Sequence, residues 1–313
     1  MSNNPASPPL PPSLVQRLTL DAFTRFGPRE LSYAPAQSLV PGARSYLNVP
    51  FAIIPGFRVL RLDLHVPENA KGPVPVVVFA SGGAWLLVVK HNSPWISLPS
   101  EGYAVASVEY RPSGEAHYPA ALHDLKAAVR WLRGNASTYG VDPNRIAGWG
   151  SSAGAHLMAL AALTHGNSEM EGQIGDHLEQ SSRLSAVISI AGVSDFLTLA
   201  EDTDNLPGAM EKFGTETSPE TRLLGFIPAS CPKVAAQASP VTHVSAGCVP
   251  FFVAHGDADT RLGIGQSRRL VTALKGVGAD VEYVEVPGAF HNGPEFDTPE
   301  FLAQVIAFVK RVI

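Results

Sequence analysis

Gly150-Ser151-Ser152-Ala153-Gly154 reads G-x-S-x-G, a pattern that can carry a nucleophilic serine. A serine hydroxyl attacks a carbonyl only when a base takes its proton, and the base needs a partner to orient it. The pattern is short, and an ordinary strand-to-helix turn is its bland alternative. Ser151 is the rival nucleophile, but only Ser152 has glycine two residues before and two after. Where such a serine sits at a strand–turn–helix junction, its acid and its histidine follow it in that order.

Of ten histidines, only His291 follows the last acid-bearing strand end, in Gly288-Ala289-Phe290-His291-Asn292-Gly293. His156 reads as a hydrogen-bonded core residue and His123 as part of a solvated helix face. His91 and His117 fall in loops near the expected cleft. The acid comes from His255-Gly256-Asp257-Ala258-Asp259-Thr260, where Asp257 and Asp259 are both candidates. A calcium loop is the competing reading of Asp-x-Asp, and it fails because its sixth position is Leu262 rather than glycine. Ser81-Gly82-Gly83-Ala84-Trp85 supplies small residues whose amides can face a carbonyl oxygen. The amides of Gly83 and Ala84, with that of Ala153, are the expected oxyanion donors. A phosphate loop is excluded because no G-K-[ST] follows the glycines. Trp85 and Phe290 are the expected substrate contacts, with Trp85 as an aromatic wall. Trp149 is expected to support the cleft from behind.

These groups need a scaffold that presents strand ends side by side, and the rest of the chain reads as one. Apolar runs alternate with helical runs, the pattern of a mostly parallel sheet flanked by helices. Pro75–Ala80 is a continuous apolar run and predicts a strand buried on both faces. Phe57–Val66 alternates and predicts a half-exposed antiparallel strand. Further strands are expected at Tyr103–Tyr110, Ile146–Trp149, Leu184–Ile190, Val249–Val253 and Asp280–Val286. Helices are expected from Pro119, over Ala153–Leu163, and over Pro299–Val312. Residues 195–240 lack strand character and read as a small helical cap inserted over the sheet. The domain reading is a Pro-rich leader and extension over 1–45, then one α/β catalytic domain over 46–313.

The chain has 313 residues, with 45% hydrophobic, 16% charged and a net charge of −5. That balance carries no basic footprint for nucleic acid. The start, MSNNPASPPLPPS, has no basic and apolar signal regions, and no run is long enough to span a membrane. A cytoplasmic protein is expected, and a homodimer is compatible with the reading. Cys231 and Cys248 are either two buried thiols or a disulfide, with no CxxC pair between them.

Taken together, these segments resemble the hormone-sensitive-lipase-like and bacterial feruloyl-esterase-like (BD-FAE) α/β hydrolases. The resemblance runs from about Pro55 to the end of the chain. Its most specific stretch is EYRPSGEAHYPAALHDLKAAVRWLRGNASTYGVDPNRIAGWGSSAG, from Glu109 to Gly154. The resemblance implies an α/β-hydrolase fold and a triad of Ser152, Asp259 and His291, because the family acid is the second aspartate of the loop. Asp257 then serves to tighten the turn. It implies hydrolysis of carboxylic esters, acetyl and hydroxycinnamoyl esters among them, with no cofactor and no metal. An amidase, formamidase or peptidase on the same fold is the alternative enzyme, and a non-catalytic binding protein the alternative of another class. In one place the chain departs from its relatives, which carry His-Gly-Gly-Gly or His-Gly-Gly-x-Trp. Here Ser81 replaces the histidine that braces the loop, and Ala84 replaces the third glycine.

Overall fold

The computed structural model describes residues 39–56, 58–90, 94–210 and 212–313. Most of the leader therefore lies outside the described residues, as do Phe57, His91 and Glu211. The elements begin with β1 Ala43–Ile53, β2 Val59–Pro67, β3 Val74–Ala80, β4 Ala104–Val108, α1 Ala120–Gly134 and α2 Ala136–Tyr139. Next come β5 Val141–Ser151, α3 Ala153–Leu163, α4 Ser168–Glu171 and β6 Val187–Ile190. Short helices α5 Leu199–Thr203, α6 Pro219–Leu224 and α7 Pro232–Gln237 follow. The chain ends with β7 Phe251–Gly256, α8 Gly265–Gly276, β8 Val281–Val286 and α9 Pro299–Val312.

The eight strands form one sheet in the order β1-β2-β4-β3-β5-β6-β7-β8. Pairs β1/β2 and β2/β4 are antiparallel, and every pair from β4 to β8 is parallel. Parallel pairing requires cover on both faces. One face packs α1, α3 and α8 around Leu125, Leu157 and Leu274. The other packs α9 through Phe308 and Val309, with Trp95 and Leu98 beside it. Every residue of β3 is buried, as its unbroken apolar run predicts. In α9, Thr298 accepts from the Phe301 amide and Pro299 opens the first turn, so the helix start is capped.

Three expectations need correction. First, the sheet begins at Ala43, inside the segment assigned to the leader. Second, β2 is not half-exposed. Asp63 and His65, on its polar face, are buried because Lys90 Nζ pairs with Asp63 at 3.1 Å and Ser45 Oγ meets His65 Nδ1 at 2.8 Å. Third, His123 is half-buried against Gly172 rather than solvated. Cys231 and Cys248 are free thiols. No helix among the described residues is long and apolar enough to cross a membrane.

Two ionic features frame the sheet. Between β4 and α1, the fully buried Asp124 carboxylate takes Arg111 Nη2 at 2.7 Å, Arg111 Nε at 3.0 Å and the Arg111 amide at 2.7 Å. Burial alone pushes that carboxyl's pKa up, and the guanidinium opposes the shift. At the sheet edge, β8 carries Glu285 paired with Arg268 and Glu282 paired with Arg311, both at 2.8 Å and exposed to water.

Asp124→Ala leaves the Arg111 guanidinium and amide without their acceptor in a largely closed site. The expected loss is about 3–5 kcal/mol of unfolding free energy, read by urea denaturation. A loss below about 1 kcal/mol would place the pair among surface ion pairs instead.

Candidate active site

The parallel register brings five strand ends together. Ala80 of β3 lies beside Gly150 of β5, Ser151 of β5 beside Ile190 of β6, and Gly256 of β7 beside Val286 of β8. The loops leaving those ends carry the oxyanion segment, the serine, the aspartates and the histidine. Groups gather at the carboxyl ends of an α/β sheet for this reason.

Ser152 joins β5 to α3 with φ +53 and ψ −118, a left-handed backbone that serine adopts at a cost. The flanking glycines make the turn possible. A Cβ on Gly154 would collide with the Ala80 carbonyl, and one on Gly150 with the backbone of Gly154. The turn leaves the Ser152 side chain at the N-terminus of α3, whose first amides lack intrahelical acceptors.

His291 Nε2 lies 2.9 Å from Ser152 Oγ, and His291 Nδ1 lies 2.6 Å from Asp259 Oδ2. The Ser152 hydroxyl donates to a neutral imidazole whose Nδ1–H donates to the carboxylate. Asp259 is only 5% exposed. Its Oδ1 accepts the amides of Arg261 and Leu262, both at 2.9 Å. Its Oδ2 also receives His255 Nε2 at 3.1 Å. Burial alone would raise the pKa of this carboxyl, but the hydrogen bonds from His255 and His291 outweigh it and hold it well below the usual carboxylate range. The group is therefore an anion wherever the imidazole is a useful base.

Asp257 does a different job from the one expected. Asp259 tightens its own turn through the Arg261 and Leu262 amides, whereas Asp257 Oδ1 reaches across to the Gly288 amide at 2.6 Å. It thereby ties the acid loop to the histidine loop. A second tie was not anticipated: Ser151 Oγ donates to Asn292 Oδ1 at 2.6 Å, with Asn292 at φ +52. Asparagine tolerates that left-handed backbone better than most residues.

The oxyanion segment turns through three consecutive positive φ angles at Gly83, Ala84 and Trp85. Among the described residues, no carbonyl accepts from the Gly83 and Ala84 amides, and Ala153 is the first residue of α3. The missing histidine brace is replaced by other contacts. The buried Tyr110 hydroxyl donates to the Ser81 carbonyl at 2.9 Å, and the Val89 amide donates to Ser81 Oγ at 3.0 Å. Trp85 Nε1 donates to His156 Nδ1 at 3.1 Å, and His156 Nε2 donates to the Ala238 carbonyl at 2.8 Å. Burial pushes the His156 pKa down to about 4, so it acts as a neutral bridge between the loop and the residues after α7. Farther out, Lys90 Nζ anchors the loop to Asp63 and to Asn48 Oδ1.

A cavity of about 500 Å3 opens onto Ser152 and His291. Gly83, Ala84 and Ala153 line it, as do Leu86, Leu87, Val193, Phe213, Pro219 and Leu262, with Arg261 beside them. Trp85 lines it too, but as a floor: it is 2% exposed and packed on His156 and Phe196. Phe290 is 59% exposed and is not among the lining residues, which corrects the expectation that it touches substrate. Trp149 is buried in the core behind the serine. His117 is exposed and bound to the Arg222 carbonyl, outside this cavity. Among the described residues, no charged side chain of the 195–240 segment lines it. Asp202 binds Gln266 and Arg269, Asp204 Oδ1 accepts the Phe213 amide, and the segment presents Phe213 and Pro219 to the cavity.

Comparison with known proteins places this arrangement in a family. The BD-FAE family model matches residues 62–274. Esterase LipC of Mycobacterium tuberculosis is 32% identical over 70% of this chain and 53% of its own length. Esterase LipQ of the same organism is 34% identical over 78% of this chain and 56% of its own. The isoprenylcysteine alpha-carbonyl methylesterase ICME of Arabidopsis thaliana is 30% identical over 74% and 53%. The chain thus spans about half the length of these curated relatives. Among solved structures, a truncated carbohydrate esterase from gut microbiota superposes with a TM-score of 0.77 at 27% identity, over 88% of this chain and 98% of that one. With its Ser152 turn, its parallel sheet and its matched span in agreement, the chain belongs to the BD-FAE family and carries the α/β-hydrolase fold.

Proposed function

We propose that the protein is a serine carboxylesterase that hydrolyses small or aromatic esters through an acyl-enzyme. The observation that carries this reading is the unbroken hydrogen-bonded chain Ser152–His291–Asp259, which opens onto an apolar cavity beside the Gly83 and Ala84 amides, whose N–H groups no carbonyl takes among the described residues. Residues 195–240 act as the cap of that cavity.

Ser152 Oγ attacks the ester carbonyl while its proton passes to His291 Nε2. The carbonyl oxygen becomes an alkoxide and takes hydrogen bonds from the amides of Gly83, Ala84 and Ala153. Each such donor contributes on the order of 3 kcal/mol to the transition state in enzymes of this kind. The tetrahedral carbon expels the alcohol, which receives the proton from His291. Water then repeats the sequence on the acyl group and frees Ser152. Asp259 holds the imidazole with its proton on Nδ1 and stabilises the imidazolium. The acyl group occupies the cavity between Leu86, Val193, Phe213 and Leu262, above the Trp85 floor. A mostly apolar site of that size accepts compact acyl groups by burying their surface.

Ser152→Ala is expected to abolish ester turnover and covalent labelling by a fluorophosphonate, with an unchanged circular dichroism spectrum. Ser151→Ala keeps the nucleophile and loses only the Asn292 contact, so most activity should survive. The reverse ranking would reassign the nucleophile.

Asp259→Asn is expected to lower kcat by about 10⁴-fold, because the wrong imidazole tautomer is favoured. Asp257→Asn still offers an oxygen to the Gly288 amide, and its loss should stay within about tenfold. Equal losses in the two variants would mean that the acid is misassigned.

Substrate choice is read from kcat/KM over p-nitrophenyl esters from acetyl to palmitoyl, with a hydroxycinnamate ester, an acetylated sugar and a methyl ester added. Short and aromatic acyl groups should lead. A steady climb to palmitoyl with no turnover of the aromatic ester would require a long acyl channel instead.

A further inference from the structure

Asp259 Oδ2 is shared by two imidazoles, and only one of them touches the serine. We propose that His255 is a positioning residue of the esterase reaction, holding Asp259 and dividing the charge of Oδ2 between two donors. The proposal rests on the triad reading above. His255 is fully buried at the end of β7, four residues before the acid. Its Nε2 faces two acceptors, Asp259 Oδ2 at 3.1 Å and the Leu262 carbonyl at 3.0 Å. Its Nδ1 lies 2.7 Å from Ser267 Oγ of α8. Two acceptors on one side place the ring proton on Nε2, and Nδ1 then accepts from the Ser267 hydroxyl. Ser267 is buried, and its hydroxyl acts as a lock on the tautomer.

The arrangement has two effects. With the Arg261 and Leu262 amides on Oδ1, His255 brings the donors on the buried carboxylate to four, so its plane and rotamer are set without water. By drawing charge from Oδ2, His255 also weakens the pull of Asp259 on an imidazolium at His291, which keeps the base available at lower pH. The other charged and titratable groups around the pair are Asp257 and Arg261 of the acid loop and Glu285, which lies opposite His255 on β8. Glu285 is paired with Arg268 of α8, and Asp202 with Arg269 stands on the α5 side. None of these donates to Oδ2 among the described contacts, so the effect is specific to His255.

The test compares His255→Leu, His255→Gln and Ser267→Ala with the parent enzyme. Fluorophosphonate titration of each variant counts competent Ser152, which separates failure of the triad reading from failure of this proposal. In His255→Leu, kcat per titrated site should fall by about tenfold or more, with KM within about twofold. The acid limb of kcat/KM should move upward by about half a pH unit or more, because His291 becomes the sole side-chain donor on Oδ2. The amide of His255→Gln can reach the same oxygen and should return the limb toward its parent position. Ser267→Ala should give an intermediate shift. A limb that stays in place in His255→Leu, with kcat falling only as stability falls, would overturn the proposal. If His255→Leu does not fold, ¹⁵N NMR of the parent protein decides: a proton on Nε2 of His255 is expected, and a proton on Nδ1 would overturn the assignment.

Discussion

The carbonyl of Ala80 occupies the place where a side chain at position 154 would go, and that close approach governs how β3, β5 and α3 meet. A helix pressed this tightly against a strand end carries small or well-packed apolar residues on its first turns, and His156 is admitted among them because both its ring nitrogens are hydrogen-bonded. Residues 153–161 of α3 are all buried. The same approach forces Ser152 into a left-handed backbone and turns its hydroxyl away from the sheet. The strain is tolerable because the surrounding packing leaves the chain no alternative. The outward placement of the Ser152 hydroxyl is thus a by-product of how closely two backbones pass.

The remaining groups sit on loops, and loops need ties. Asp257 binds the acid loop to the Gly288 amide, Ser151 binds the serine turn to Asn292, and His291 joins both through the triad itself. The oxyanion segment is held by Tyr110 at its base, His156 at its middle and Lys90 at its far end. Three successive positive φ angles in a loop with only one glycine among them need such restraint. The replacement of a bracing histidine by Ser81 therefore costs the loop little, because the brace is spread over three other elements.

Much of this was legible in the sequence where one local rule applied. The continuous apolar run of β3 and the buried helix after Ser152 follow from periodicity and composition. The edge strand β1 was not legible. Its register slips between Tyr46 and Val49 and again between Pro50 and Ala52, and Asn48 takes a positive φ, so the alternation that marks a strand is broken. Asp63 and His65 looked solvent-facing because their partners, Lys90 and Ser45, lie on other elements. His255 was only one of ten histidines. Its spacing of four from Asp259 is a usable signal only once the turn between them is known to fold back. Trp85 and Phe290 were judged by adjacency to the site, and adjacency says nothing about which way a ring points.

Among the described residues β8 is one edge of the sheet, and a strand in that place leaves a row of unpaired amides and carbonyls open to any other extended chain. Glu282 and Glu285 stand on it, each clasped by an arginine from a different helix. The ion pairs are exposed and add little to stability. Their value is in what they prevent. A peptide or second subunit adding itself as a ninth strand would have to strip water from four charges and find room beside two guanidinium groups. The edge is thereby guarded against templated aggregation by side chains that contribute almost nothing to the fold they protect.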